Sequence, residues 1–344
     1  MAGAGVRIVQ HLSDVSVVGI VEVLSRLPAI RGAMARLEGA LRSERPDVVV
    51  PVDFPDFNLR LASRAARAGV PVVYFVSPSV WAWRRGRLRG IRRTIRRMLV
   101  LYPFEARFYE DAGVPVTFVG HPAAEAAAAA GAGREDVLGR AGLDRAARVV
   151  ALLPGSRHGE VERLFPVMLE AAARLRALHP ELRFLVPRAA TVSRRQLEEK
   201  VARAGLDGVR IHDGDYPAVL RACAAAVVGS GTATLEAALA GLPMVVVYRL
   251  QPLTYLLARL LVRVEHVALP NLILGRAVVP ELIQGRCTAA AIAGALAELL
   301  DGPESAALQR REMVVVRERL GPPGVFDRAA EAVLAEAKGR SEPL

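Results

Sequence analysis

Short apolar runs alternate along this chain with longer stretches in which apolar residues return every three or four positions, most regularly in its second half. Val149 to Leu153 is unbroken apolar sequence stopped by Pro154-Gly155, and helical spacing then runs from Glu160 to Leu178. The same pattern predicts strands at 183–187, 209–212, 225–228 and 243–248, with helices at 193–204, 216–222 and 232–240 between them. Buried strands separated by helices make a doubly wound parallel sheet. Further helices are expected from Val279, Thr288, Glu304 and Val325.

The first half carries the same alternation less evenly. Met1 to Val9 holds a fragment of strand, and the apolar run Val17 to Leu27 contains Glu22, an exposed helical position or a buried partner for an arginine or a substrate. A helix is predicted from Ile30 to Leu41, a strand from Asp47 to Val52, a helix from Leu59 to Arg67 and a strand from Pro71 to Val76. Met98 to Tyr102 and Val116 to Val119 complete the strands. The alanine-rich stretch Ala123 to Gly133 reads as a linker, so two Rossmann-like domains are expected, over 1–145 and 146–344.

Candidate chemistry gathers where strands end. Gly155-Ser156-Arg157 lies between a strand and a long helix, and Ser230-Gly231-Thr232 repeats that design ahead of a helix carrying Glu236. A helix start presents unpaired N–H groups and partial positive charge, so both loops suit a phosphorylated ligand, with Arg157 as counter-charge. Asp53, at the end of another strand, is a candidate general base, or a turn residue; Asp56 suits a helix cap. His121, in Gly120-His121-Pro122, is an acid or base by type, or a hydrogen-bonded residue that shapes the crossing between domains. Asp213-Gly214-Asp215 has the outline of a metal site but also that of a turn and cap, and Asn271 sits on a loop where it could orient a polar ligand.

Charge changes the picture in one place. The net charge is +11, but of 46 basic residues only Lys200 and Lys338 are lysine, leaving 44 arginines, which marks a general bias rather than a nucleic-acid footprint. The arginines concentrate in one segment. Trp81 and Trp83 precede eight of them, including Arg92, Arg93, Arg96 and Arg97, while Leu88, Ile91, Ile95 and Met98 supply an apolar stripe. Such a helix suits an anionic membrane surface or is a solvated charged face; interleaved aromatics that would favour nucleic acid are missing. No run of about 18 uninterrupted apolar residues occurs, and Cys223 and Cys287 fit neither a metal spacing nor a disulfide framework. A cytoplasmic location follows.

Particular strings carry a closer likeness. VGIVEVL (18–24), DFPDFNL (53–59), YFVSPSVWAWR (74–84), YPFE (102–105), FVGHP (118–122), LLPGSR (152–157), GSGTATLE (229–236), PMVVVYR (243–249) and LPNLI (269–273) resemble the lipid-A-disaccharide synthase family over nearly the whole chain. The family's opening strand and Gly-Glu-x-Ser-Gly-Asp loop have no counterpart here, so the first domain is expected to be incomplete.

The resemblance implies a GT-B fold, two Rossmann-like domains facing a cleft, and inverting transfer of 2,3-diacylglucosamine from UDP to the 6-hydroxyl of 2,3-diacylglucosamine 1-phosphate. It implies Asp53 as base, with His121 next in line, and Arg157 with Gly155, Ser156, Ser230, Gly231 and Thr232 on the diphosphate. Glu236 would hold the ribose, and Asn271 and Gln284 would orient the diphosphate or donor sugar, with no metal or cofactor. Acylated substrates imply docking of Trp81, Trp83 and the arginines at the inner membrane, leaving a homodimer open. Another GT-B enzyme, an epimerase, or a non-catalytic UDP-sugar-binding protein are the alternatives.

Overall fold

The computed structural model describes residues 3, 5–11, 27–128, 132–251, 254–256, 259 and 264–339, arranged as two compact units. Glu22, with 17–26 of its apolar run, lies outside the described residues, as do residues 129–131 of the alanine-rich stretch.

In the first unit, helix α1 (Leu27–Glu44) precedes residues 49–53, which run parallel to strand β1 (Val73–Phe75). Val73 N donates to Val49 O at 3.0 Å and Asp53 N to Phe75 O at 3.0 Å, so this edge segment ends at Asp53. Helix α2 (Pro55–Arg67) leaves immediately afterwards. Helix α3 (Leu88–Thr94), strand β2 (Arg97–Val100), helix α4 (Pro103–Asp111) and strand β3 (Val116–Phe118) follow, and the parallel order is β1-β2-β3.

The long basic helix predicted from Leu88, Ile91, Ile95 and Met98 is a correction. One 3-10 turn (Arg85–Arg87) and the seven residues of α3 are helical, and the chain is extended from Ile95. Arg96 N pairs with Val72 O at 2.8 Å, starting the sheet ladder, and Met98, Leu99 and Val100 are buried in the central strand. Sheet pairing and burial override the helical spacing.

The second unit contains the regular half. After helices α5 (Pro122–Ala128) and α6 (Arg134–Arg140) come strand β4 (Val149–Leu153), helix α7 (His158–Leu178), strand β5 (Arg183–Pro187) and helix α8 (Arg194–Ala204). Strand β6 (Val209–His212), helix α9 (Tyr216–Ala222), strand β7 (Ala225–Gly229), helix α10 (Thr232–Leu239) and strand β8 (Met244–Tyr248) continue it. Helix α11 (Leu269–Leu274), strand β9 (Glu281–Ile283) and helices α12 (Ala289–Asp301) and α13 (Pro303–Arg319) end the unit. β9 replaces the helix expected from Val279; three residues before a Gln-Gly turn are too short to show a period.

The six strands are parallel in the order β6-β5-β4-β7-β8-β9. Side chains alternate between two cores, as strand geometry requires. Val150, Leu152 and Val227 pack with Phe165 and Met168 of α7 and Ile292 of α12, while Ala151, Leu153 and Val228 pack with Leu235 of α10 and Met313 of α13. Both faces are covered, which is why these strands read as continuous apolar runs.

The units divide differently from the expected boundary at 145. The second takes Tyr102–Phe104 and Gly120–Gly324, because Val137 and Leu138 of α6 pack with Val219 and Ala222 of α9 and Glu125 of α5 accepts from Gly324 N at 2.8 Å. The terminal helix α14 (Val325–Lys338) joins the first unit. There Phe326 meets Phe75 edge-on, Arg328 donates to Val119 O at 2.8 Å, and Glu336 binds Arg96 and Arg97.

Candidate functional site

The strand order reverses between β4 and β7, which start opposite helical excursions and lie side by side with Leu153 opposite Val228. Ligands of open parallel sheets bind at such a switch point, beyond the carboxyl ends of the strands. The two loops singled out by sequence are the ones that leave there. At Gly229 a β-carbon would come within 3.3 Å of Leu153 O, so a small residue lets the two strand ends close up.

The first loop is built around a glycine. Gly155 has φ +106°, and a β-carbon there would meet Glu160 Oε2 at 2.5 Å. Glu160 lies in the first turn of α7, where its carboxylate accepts from Arg157 Nη1 at 2.6 Å. Thr191 Oγ1 donates to Ser156 O at 2.6 Å, fixing the loop from the β5 side. Arg157 keeps its side chain 77% exposed despite the pairing, so its guanidinium can turn to an anion at the helix start. Arg157 and Arg163 both act electrostatically on Tyr248, whose hydroxyl burial pushes up. Thr191 and Arg163 carry no local motif and were not legible from sequence, and Tyr248 lies in PMVVVYR without any role assigned to it there.

In the second loop, Ser230 N donates to Val247 O at 3.0 Å and Ser230 Oγ to Val267 O at 3.1 Å. Thr234 donates to Gly231 O through both Oγ1 at 2.7 Å and its backbone N at 3.1 Å, so Thr232 and Ala233 carry the open amides at the start of α10. One turn on, Glu236 lines a cavity of about 290 Å³ with Tyr216, Leu220 and Arg221. No side chain among the described residues hydrogen-bonds its carboxylate, and burial raises its pKa. Two helix starts and a carboxylate with spare acceptor capacity suit a diphosphate and a hydroxylated group.

Two predicted donor residues hold protein backbone instead. Asn271 is fully buried; its Oδ1 accepts from Val278 N and Val279 N, and its Nδ2 donates to Val279 O and Glu281 Oε1, at 2.8–3.0 Å. Glu281 also accepts from Val267 N and Ala268 N, so this network ties α11 to β9. Gln284 clamps Leu250, accepting from its N–H at 2.6 Å and donating to its carbonyl at 3.2 Å. Asn271 has no polar capacity left for a ligand in this arrangement, whereas the half-buried Gln284 keeps one N–H and one oxygen lone pair.

Asp213 binds Arg188 and Arg194, and Asp215 caps α9 by accepting from Ala218 N, so the Asp-Gly-Asp segment is a turn and cap. The buried His121 ring accepts from Ala123 N through Nδ1 at 3.1 Å and approaches Tyr102 Oη at 3.2 Å through Nε2. Burial pushes it down to about 4, so it is a neutral cap of α5.

In the first unit, Asp53 and Phe54 adopt φ +46° and +48°, a left-handed pair that only strong local support holds. Tyr74 Oη donates to Asp53 O at 2.6 Å and Asn58 Nδ2 donates to it at 2.7 Å. Backbone clamping leaves the Asp53 carboxylate exposed at the strand end. Asp56, one residue into α2, is bound instead by Arg84 and Arg87.

The tryptophan and arginine segment divides. Trp81 Nε1 donates to the buried carboxylate of Glu105 at 3.1 Å, beside Ser77 Oγ at 2.6 Å, and Arg96 and Arg97 are held by Glu336. These three are fold contacts rather than a free docking face. Trp83 is 40% exposed with Arg84 stacked on it, and Arg92 and Arg93 are exposed.

A family model described as lipid-A-disaccharide synthetase matches residues 1–333. The lipid-A-disaccharide synthase of Geobacter sulfurreducens is 44% identical over 97% of this chain and 86% of its own. Among solved structures, a UDP-GlcNAc 2-epimerase from Neisseria meningitidis bound to UDP-GlcNAc superposes with TM-score 0.61 at 12% identity, over 91% of this chain and 82% of that one. A UDP-forming trehalose-phosphate synthase from Burkholderia xenovorans gives TM-score 0.56 at 14% identity, over 92% and 80%. These structures share the fold, which is of the GT-B class.

Proposed function

This chain belongs to the lipid-A-disaccharide synthetase family and is a glycosyltransferase of lipid A disaccharide synthesis, and from that premise we propose that it catalyses a single inverting transfer. The donor is UDP-2,3-diacylglucosamine and the acceptor is 2,3-diacylglucosamine 1-phosphate. The acceptor 6-hydroxyl attacks the anomeric carbon from the face opposite UDP as the bond to the diphosphate breaks. The hydroxyl proton passes to a base, UDP departs, and the α-linked donor becomes a β-1,6 disaccharide.

Asp53 is the base in this scheme. Its carboxylate is exposed at a strand end while its backbone is clamped by Tyr74 and Asn58, the kind of rigid mounting that proton transfer favours. Negative charge gathering on the leaving diphosphate is met by the amides at the starts of α7 and α10 and by Arg157, with Glu236 on the ribose. What carries the assignment is the adjacency of β4 and β7, which brings two such helix starts to one switch point. His121 is disfavoured as base because both ring nitrogens are engaged.

None of the described helices is long and apolar enough to cross a membrane. We assign docking on the cytoplasmic face of the inner membrane, where acylated substrates reside, to Arg92 and Arg93, with Trp83 a further exposed side chain of the same segment. The scheme is tested by the linkage of the product: anomeric proton coupling in the purified disaccharide 1-phosphate is expected to report a β bond. An α bond would exclude a single displacement.

A further inference from the structure

Helix α2 separates two hollows of the first unit. Between α1 and α2 runs a groove of about 450 Å³ whose apolar lining is Leu27, Ile30, Met34, Ala35, Phe54 and Phe57. On the opposite side, α2 and α3 enclose about 300 Å³ with polar walls that include Ser63, Arg87 and Thr94. Asp56 and Arg60 line both.

The charges around the groove do not cancel. Asp56 is bound by Arg84 and Arg87, and Glu38 by Arg42 and Arg64. Arg60 and Arg31 are exposed at the rim, and no carboxylate among the described residues pairs with either. An apolar slot with an uncompensated guanidinium at its mouth complements an amphiphile with an anionic head. Met34 and Phe57 are buried in the packing of α1 on α2, but Leu27, Ile30, Ala35 and Phe54 stay partly open; a polar metabolite leaves these uncovered, and a neutral lipid leaves the guanidinium unpaired.

Position narrows the occupant. Arg60 is in the second turn of α2, the helix that begins two residues after Asp53, so the groove's unpaired guanidinium and the proposed base are carried by one short stretch of chain. A sugar that reacts at one hydroxyl and bears a phosphate elsewhere can meet both. The donor carries its charge as a diphosphate, already matched by the two loops of the second unit. We infer that the α1/α2 groove is the acceptor's acyl site and that Arg60 binds the acceptor's 1-phosphate. This rests on the proposed transfer, in which Asp53 takes the acceptor's proton.

Equilibrium binding separates this inference from the reaction itself. The full chain in neutral mixed micelles is titrated with diacylglucosamine 1-phosphate, with the same sugar bearing a free 1-hydroxyl, and with UDP. Arg60→Ala is expected to weaken the phosphorylated sugar about 10- to 100-fold, the unphosphorylated sugar little and UDP not at all. Arg60→Lys should recover part of the loss, and Ala35→Trp, which fills the groove from an exposed position, should shift preference to shorter acyl chains. Unchanged binding in Arg60→Ala, or equal losses for both sugars, would overturn the inference. Absence of disaccharide from a wild-type protein that shows this binding pattern would instead count against the proposed transfer alone.

Discussion

Gly155 is held at φ +106° against the carboxylate of Glu160, so the loop's shape depends on one residue lacking a side chain. Gly155→Ala is expected to cost about 1–3 kcal/mol through backbone strain and to weaken UDP at least about tenfold, as read by denaturant midpoint and calorimetry. His121 makes a pH prediction whose sign follows from burial. The folded ring titrates near 4 against an ordinary value of 6.5, so the unfolded chain takes up the proton first. Stability should therefore be full above about pH 6.5 and decline towards pH 4, by about 2–3 kcal/mol at most. His121→Gln should lose that part of the pH dependence, measured by denaturant unfolding at pH 7 and 4.5. The strand-end positions of Asp53 and of the two glycine loops were legible in sequence because the pattern that marks them is local, an apolar run stopped by a carboxylate or a glycine. The backbone partners of Asn271 and Gln284, residues 278–279 and 250, were not legible because they lie outside any local pattern.

At the scale of elements, α11 depends on a side chain more than on its own six residues. Asn271 and Glu281 satisfy five backbone N–H or C=O groups at the join between α11 and β9. Asn271→Ala leaves several of those groups buried without partners. A loss of about 2–5 kcal/mol in unfolding free energy is expected, with UDP affinity of the folded fraction unchanged. A specific loss of UDP affinity with normal stability would restore Asn271 to the donor site. The central strands were legible because both faces of the sheet are covered, which makes them continuous apolar runs. The arginine segment was not. Leu88, Ile91 and Ile95 do recur at helical spacing, but Arg96 enters the sheet ladder and the periodicity continues by coincidence into β2.

Across the whole molecule, the division into units follows packing rather than chain order. The alanine-rich stretch read as a linker lies inside the second unit, which takes up the chain from Gly120, and α14 returns to the first unit through Phe326, Arg328 and Glu336, contacts between residues more than 200 positions apart that no window of sequence reveals. The same contacts decide which arginines remain available to a surface. Reversing Arg92 and Arg93 to glutamate should reduce sedimentation with anionic vesicles several-fold at low salt, whereas reversing Arg96 and Arg97 should chiefly lower the melting temperature by uncoupling α14. The central claim is that this chain performs glycosyl transfer with Asp53 as the base. Its most direct test is disaccharide 1-phosphate formation from UDP-diacylglucosamine and the monosaccharide acceptor in mixed micelles, for the wild type and Asp53→Asn. Equimolar disaccharide and UDP from the wild type, with kcat lower by about 10²- to 10⁴-fold in Asp53→Asn and UDP binding retained, is the predicted result. Undiminished turnover in Asp53→Asn, or no disaccharide from a wild-type chain that binds UDP, would contradict it.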